Sequence, residues 1–542
     1  MSRLAQAASA LAAVMRSRNL RRVELAWGAS IAAEWAHFVA LGVFAYAAGG
    51  TQAVGIAGLV RMLPAAIFAP LASSLGDRFR RERFMLAISF AGSCALAASA
   101  LAYFGGKSEV AVFALAGVVG VTSTLFRPAL QAILPSLARS PEELIAANGA
   151  SSTIESLGTL VGPLLAGALV ALANPGVVFA TASGAMLAAT ALLVAVRVEG
   201  RLQVAPPSDA TELILGGAGA VARSPRPRLI VGLLAAQGFV RGCLNVLIVV
   251  VAFRVLHTDG AAVGYLTAAL GVGGLLGAFG ALTLEGRRLG APLAAALVFW
   301  GVPIALVAPR PFLGLALILL AVVGAANSVE DVAAFTLLQR LVPDDILSRV
   351  LGVAWGLVMG AVALGSVVAP PLVSALGPRA ALAAVGALLP VIVLLSWRRL
   401  AEIDRDTAAP QVELLLVGRV PMFAPLSVAA KEHVAAKLTP LHVEPGQVVV
   451  RKGDTGDTFY IVADGQLEVT NGVRSTAGAG DVFGEIALLR DVPRTATVTA
   501  STPANLFVLG RDDFLAAVTG QPQARAAGEA LVEERLASEL TS

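Results

Sequence analysis

AANGASSTIESLGTLVGPLLAGALVALA, residues 146–173, is the stretch on which the fold turns. It contains one ionisable side chain, Glu155, and a helix crossing the hydrocarbon core needs about 20 mostly apolar residues. Its small residues suit close helix packing in lipid, where apolar burial alone drives no association, and Pro163 predicts a kink. The rest of the chain fits this reading. Of 542 residues, 57% are hydrophobic and 14% charged, against about 45–50% and about 25% in soluble chains. A disordered protein and an ordinary soluble enzyme are excluded. Glycine and proline follow no three-residue period, which excludes collagen. Cys94 and Cys243, each inside an apolar run, predict no disulfide framework and no metal site.

Further runs lie near 23–48, 53–75, 84–105, 109–134 and 176–196, then near 229–255, 261–284, 291–308, 311–338, 347–376 and 379–397. With 146–173 they make two sets of six. The separator, 197–228, is polar, and Pro206-Pro207-Ser208-Asp209 predicts a helix start for an amphipathic stretch to Ala222. Residues 1–410 hold 29 Lys and Arg against 20 Asp and Glu; residues 411–542 hold 11 against 16. The N-terminus, the even-numbered loops and the stretch after span 12 carry 22 basic residues, the odd-numbered loops four. By the positive-inside rule both ends are cytoplasmic, in a multi-pass protein of the cell (inner or plasma) membrane. The expected layout is a cytoplasmic segment 1–22, a transporter domain 23–397 (halves 23–196 and 229–397), a linker 398–410 and a soluble domain 411–542. Gln131-Ala-Ile-Leu-Pro135 is echoed by Gln339-Arg-Leu-Val-Pro343, and Gly162-Pro163 by Ala369-Pro370, a duplication typical of transporter folds.

On these residues the membrane section resembles the major facilitator superfamily over about 15–400. Ser73-x-x-x-Asp77-Arg78-x-Arg80-Arg81 resembles that family's gating loop after span 2, with Ser73 and Arg80 where glycine is usual. The resemblance implies that Asp77, Arg78 and Arg81 latch the cytoplasmic side. Gly149, Gly158, Gly162-Pro163 and Ala166-Gly167 match the spacing of the family's exporter motif, its last Gly-Gly replaced by Ala-Gly. Ser30-x-x-x-Glu34-Trp35 is similar to the drug- and siderophore-exporting branches.

Ionisable groups inside a membrane are costly and point to function. Glu34 and His37 lie one turn apart on span 1, Arg127 on span 4, Arg241 on span 7, Glu330 and Asp331 on span 10. In the resembled fold these four spans line the central cavity. Glu34, Glu330 or Asp331 is expected to carry a proton, tuned by Arg127 or Arg241, with His37 as a relay. Structural ion pairs between the halves are the alternative. Arg61 and Glu155 are expected to pair with each other.

From Val412 short alternating apolar segments and turn residues predict β-structure, with strands such as 459–462 and 467–469, and helices near 424–438 and 512–540. The whole is therefore an all-α polytopic membrane protein of twelve helices in two six-helix bundles, plus a small α+β domain with a β-roll. Phe483-Gly484-Glu485-Ile486-Ala487-Leu488-Leu489, then Pro493-Arg494-Thr495-Ala496, resembles the phosphate-binding cassette of cyclic nucleotide-binding domains over about 411–540. The resemblance implies a cyclic phosphate on the N–H groups after Gly484, a ribose hydroxyl on Glu485 and phosphate oxygens on the Arg494 fork. Cyclic AMP is expected over cyclic GMP on the bacterial style of the chain. The expected function is a proton-coupled exporter of a small molecule, regulated by cyclic nucleotide. A cyclic nucleotide-gated channel or a transport-inactive receptor is the alternative, and a Thr-Val-Gly-Tyr-Gly filter and an Arg-repeat sensor are missing from the sequence. The lipid bilayer and a transported solute are the expected partners, nucleic acid is not, and no enzyme motif is present.

Overall fold

The computed structural model describes residues 17–68, 81–106, 108–137, 141–196, 210–281, 288–309, 311–342, 344–406, 411–424, 426, 428–471, 474–519 and 522–541. The chain divides into two compact units, the main break falling between Asp404 and Arg405.

The first unit begins with α1 (Arg18–Phe68), broken at Gly49 (φ −151°, ψ 28°) and Gly50 (φ 62°, ψ −148°). A left-handed residue there turns one 51-residue run into two antiparallel crossings, spans 1 and 2. Spans 3 to 6 follow as α2 (Arg81–Phe104), α3 (Glu109–Leu137), α4 (Pro141–Leu172) and α5 (Pro175–Val194). Next comes α6 (Ala210–Arg223), the expected amphipathic helix, packed against span 11. Spans 7 to 12 are α7 (Pro225–Val250), α8 (Gly260–Ala281), α9 (Gly290–Leu306), α10 (Leu313–Leu341), α11 (Asp344–Leu376) and α12 (Pro378–Asp406). Among the described residues ten helices are long and apolar enough to cross a membrane. The first of these is long enough to cross twice, and the apolar α9 is shorter, at 17 residues. Two crossings in α1, the other nine long helices and α9 make twelve, six on each side of α6. Helix α12 continues through Asp406 into the expected linker, because Arg398, Arg399, Glu402 and Arg405 are good helix formers that need no lipid.

Glycines set the helix spacing. A Cβ on Gly162 would stand 2.6 Å from the Ala32 carbonyl oxygen, so spans 1 and 5 touch backbone to backbone. One core of the first half gathers Leu20, Trp27, Met85, Phe126, Ala147 and Leu193, with Trp27 stacked on Phe126 at 5.5 Å.

The second unit opens with α13 (Gln411–Arg419), where β-structure was expected from Val412, a 3-10 turn (Pro421–Phe423) and α14 (Val428–Lys437). Gln411–Arg419 is helical because Leu416 and Val417, on one face, pack with Phe423 and Val434 under the roll. Eight strands follow: β1 (Thr439–Val443), β2 (Val448–Val450), β3 (Thr458–Asp464), β4 (Leu467–Thr470), β5 (Arg474–Ala477), β6 (Val482–Phe483), β7 (Thr497–Ala500) and β8 (Ala504–Gly510). They form two antiparallel four-stranded sheets, ordered β1-β8-β3-β6 and β2-β7-β4-β5. Helix α15 (Glu485–Arg490) interrupts the strands, and α16 (Arg511–Thr519) and α17 (Pro522–Thr541) close the chain. Val443, Val462, Leu467, Phe483 and Leu506 fill the space between the sheets. A second core sets Phe423, Phe459 and Phe514 beneath the helices.

Candidate functional site

In the tail, β6 ends at Phe483 and the chain turns at Gly484, whose φ of 96° is open to glycine but strained for L-residues. The turn starts α15, so the first N–H groups of that helix have no carbonyl within it to meet. Glu485, 1% exposed, opens the helix, Ile486 is half-buried and Ala487 buried. Arg494, 6% exposed, comes back beside the turn. Its Nη1 donates to the Gly484 carbonyl (3.2 Å), and Nη2 donates to the Thr458 carbonyl (2.7 Å) and hydroxyl (3.1 Å). The guanidinium also lies over the Tyr460 ring, 5.8 Å from its centroid. Burial lowers its pKa from the ordinary value, opposed by Tyr460, Asp457, Glu485 and Asp454. Thr495 and Ala496 follow, half-buried, on the way into β7. Phe483 differs from the other cassette residues. It stacks on Tyr460 at 4.7 Å inside the roll, so it holds the turn in place. Gly484, Glu485, Ala487 and Arg494 are thus brought together, with Thr458 as an addition that the sequence did not suggest.

In the membrane unit the ion pairs differ from the expected one. Arg61 does not meet Glu155: it bonds Glu34 (Nη2 to Oε1, 2.9 Å), while Glu155 accepts from Arg127 (2.9 Å). The reason is the fold of α1, which lays span 2 back along span 1 and brings Arg61 over Phe38, one turn from Glu34. Arg127 and Glu155 face each other across spans 4 and 5 and are partly exposed. His37 does not join the pair on its own face; it is fully buried against Phe179 of span 6, at 5.6 Å between ring centroids. In the second half Asn327 is the hub. Its Oδ1 accepts from Arg241 (2.6 Å), Gln237 (3.2 Å) and Trp300 (3.3 Å), and its Nδ2 donates to Asp331 (2.9 Å). Glu330, next in sequence to Asp331, is fully buried, and neither carboxyl oxygen has a hydrogen-bond partner among the described residues.

Two groups escaped the sequence reading. Glu24, at the start of span 1, was not singled out, yet it is fully buried and accepts a hydrogen bond from Ser151 of span 5. Trp27 donates to the Ser151 carbonyl (3.3 Å), so Ser151 ties two side chains of span 1. Asn327 was one amide among many, and no spacing rule singles it out.

Of the gating loop, Asp77 and Arg78 lie outside the described residues; Arg81 opens α2, half-buried. Gly149 lies in the first third of α4. Gly158 and Gly162 press on Ile31, Ala32 and Trp35 of span 1, whereas Gly167 meets Ala261 and Gly264 of span 8 in the other half. Pro163 is inside the helix. Close contacts between the halves run from where spans 1, 5, 7 and 11 finish to the middle of spans 5 and 8, where Gly271 meets Thr159 and Leu160. Tyr46 stacks on Phe253 at 4.5 Å, Gly55 meets Pro370, and Gly264 meets Pro163 and Gly167.

The sequence profile of the Major Facilitator Superfamily matches residues 25–355, more than half of the chain. The chain belongs to the Major Facilitator Superfamily. The profile of the cyclic nucleotide-binding domain matches residues 440–520, so this superfamily transporter carries such a domain at its C-terminal end. Among curated relatives, a cAMP-dependent protein kinase regulatory subunit of Yarrowia lipolytica is 46% identical over 99 residues, 18% of this chain and 26% of the relative. The acetyltransferase Pat of Mycolicibacterium smegmatis is 44% identical over 92 residues, 16% of this chain and 28% of the relative. A cyclic nucleotide-gated potassium channel of Rhizobium etli is 37% identical over 109 residues, 20% and 31%. The chain spans about a quarter to a third of the length of these relatives. Among solved structures, the regulatory domain of Toxoplasma gondii PKA with cAMP is 27% identical and covers 25% of this chain and 52% of that one, with a TM-score of 0.22.

Proposed function

We propose that this superfamily member is a proton-coupled exporter of a small molecule whose cycle is biased by cyclic nucleotide, cyclic AMP in preference to cyclic GMP, bound in a cytoplasmic tail. The observation that carries the reading is the cassette. A left-handed Gly484, buried Glu485 and the Arg494 fork converge on one spot, and the fork's present partners are neutral oxygens that a phosphate can replace with stronger, charge-assisted bonds. The preference for cyclic AMP is supported by the Y. lipolytica relative, which is named for dependence on that nucleotide. Export is supported by the spacing from Gly149 to Gly167.

The coupling candidates are Glu34, His37, Glu330 and Asp331, with Arg127 and Arg241 as their tuning charges. Ion pairing at Arg61–Glu34 and Arg127–Glu155 supports exchange of partners during the cycle, and the unpartnered Glu330 is a group whose proton follows its surroundings. With both chain ends in the cytoplasm of a bacterial cell, contacts that run from the finish of spans 1, 5, 7 and 11 to the middle of spans 5 and 8 describe a state closed to the outside. A nucleotide shifts this equilibrium only through different affinity for the two states. No step of covalent chemistry is required, and the protein is read as a carrier, not an enzyme.

The test is dye efflux from reconstituted vesicles under a proton gradient, with cyclic AMP or cyclic GMP titrated to saturation. A nucleotide-dependent rate, reached at lower cyclic AMP, is expected. Identical rates throughout would remove the regulatory role, and full proton-driven transport in both Glu34→Gln and Asp331→Asn would remove the coupling assignment.

A further inference from the structure

The loop Gly453-Asp454-Thr455-Gly456-Asp457-Thr458 is held by two arginines. Arg494 holds its two ends. The Gly453 N–H donates to the Arg494 carbonyl (2.8 Å), the Arg494 N–H to the Asp454 carbonyl (2.8 Å), and its guanidinium to Thr458 (2.7 Å). Arg511 holds the middle. Its N–H donates to the Asp457 carbonyl (2.8 Å), its Nη1 to the Gly456 carbonyl (3.3 Å), and its Nη2 to Asp491 Oδ1 (2.6 Å).

Those partners matter for the cassette. Gly456 is the floor beneath the Arg494 side chain: a Cβ there would stand 3.1 Å from the guanidinium carbon and 2.8 Å from the Ala487 Cβ. Asp491 closes α15 in the left-handed region (φ 53°), which Asp tolerates better than most L-residues. One planar fork therefore bridges the floor under Arg494 and the far end of the cassette helix. Arg511 is also the first residue of α16, which packs on α15 together with α17.

We infer that Arg511 is a positioning residue for the phosphate-binding arginine. It holds loop 453–458 and the end of α15 in register while the Arg494 fork exchanges the Thr458 carbonyl for a ligand phosphate. The inference rests on the nucleotide-binding reading above. When Arg494 turns to the phosphate, Thr458 loses its guanidinium partner and keeps the bond its hydroxyl donates to the Tyr460 hydroxyl (2.9 Å), while the fork of Arg511 stays on the middle of the loop at Gly456. A lysine keeps the charge but presents a point donor, which cannot bridge Gly456 and Asp491 as the planar fork does.

The experiment is cyclic AMP titration calorimetry on the full chain in lipid nanodiscs, for the wild type, Arg511→Gln, Arg511→Lys, Asp491→Asn, Arg494→Lys and the pair Arg511→Gln/Arg494→Lys. Arg511→Gln and Asp491→Asn are each expected to weaken binding about fivefold, the scale of an ion pair within reach of water. Arg511→Lys is expected not to restore it. In the Arg494→Lys background Arg511→Gln is expected to change the residual affinity less than about twofold, because Arg511 acts through the Arg494 fork.

Wild-type affinity in Arg511→Gln, full rescue by lysine, or the same fivefold loss in the Arg494→Lys background would each overturn the inference, the last two by showing a general charge or stability effect. If Arg511→Gln fails to fold, Asp491→Asn, altered at an exposed side chain, decides alone: wild-type affinity there overturns it. A wild-type chain that takes up no cyclic nucleotide removes the nucleotide reading itself, and this inference with it.

Discussion

Gly484→Ala separates backbone strain from damage to the phosphate site, because the tail supplies its own control. Gly484 and Gly480 both have φ of 96°. An L-residue in the left-handed region costs about 1–2 kcal/mol, and both alanine variants carry that penalty. Only at Gly484 does the new methyl meet obstacles, 2.6 Å from Arg494 Nη1 and 2.8 Å from the Thr458 carbonyl oxygen; at Gly480 it enters open space. The Thr458 backbone cannot yield, so the guanidinium must move away and loses its bond to Gly484. A hydrogen bond to a charged group is worth about 1.5–3 kcal/mol. The strain is shared by the free and bound states and lowers stability alone, whereas a displaced fork forfeits a charge-assisted bond to the phosphate, so affinity falls by about 1.5–3 kcal/mol, roughly tenfold to a hundredfold. Gly480→Ala is expected to lower the melting temperature of the tail slightly and leave nucleotide affinity unchanged. Calorimetric titration of cyclic AMP into both full-length variants, with a scanning melt of each, is the assay. Equal affinities in the two variants would refute the reasoning, since the fork would then not occupy the place the geometry gives it.

Other outcomes follow from the membrane unit. Asn327→Leu leaves Arg241, Gln237 and Trp300 without their shared acceptor, and an unsatisfied buried group costs about 1–3 kcal/mol; thermal denaturation in detergent is expected at clearly lower temperature, and an unchanged melt contradicts the hub. Gly167→Leu places a side chain against the backbone of Ala261 and Gly264, so cross-linking between the finishing end of span 5 and the first turns of span 8 is expected to fall, whereas Gly184→Leu, in open space, leaves it unchanged. Ser151→Ala removes the hydroxyl donor of buried Glu24 and is expected to destabilise by about 1–3 kcal/mol, with Glu24→Gln/Ser151→Ala losing less than the two single changes combined.

The membrane-crossing helices were legible because they depend on run length and apolar composition, which are local. The twelve segments and the amphipathic helix before Ala222 can be located from residue type alone. The cassette was legible for a similar reason: Gly484, Glu485 and Arg494 lie within one short stretch, and the left-handed turn at Gly484 needs glycine. What escaped depends on contacts between distant segments. Arg61 pairs with Glu34 because the Gly49–Gly50 break folds span 2 back along span 1, and hydropathy carries no record of that register. Glu24 is buried by Ser151, 127 residues away. Asn327 becomes a hub only when spans 7 and 9 bring it three donors. Residues 411–419 read as part of the β-domain because a short helix with apolar residues on one side gives little contrast with an alternating strand.

The link between nucleotide and transport cycle can be measured without knowing the transported solute. Spin labels at Leu172, where span 5 finishes, and Phe312, just before span 10, both exposed, report the separation of the two halves in a background lacking Cys94 and Cys243. Saturating cyclic AMP is expected to redistribute the distances between a short and a long population in the wild-type tail and to leave them unmoved in Arg494→Ala. Identical distance distributions with and without nucleotide, in protein shown by calorimetry to have bound it, would contradict regulation of the cycle by the tail.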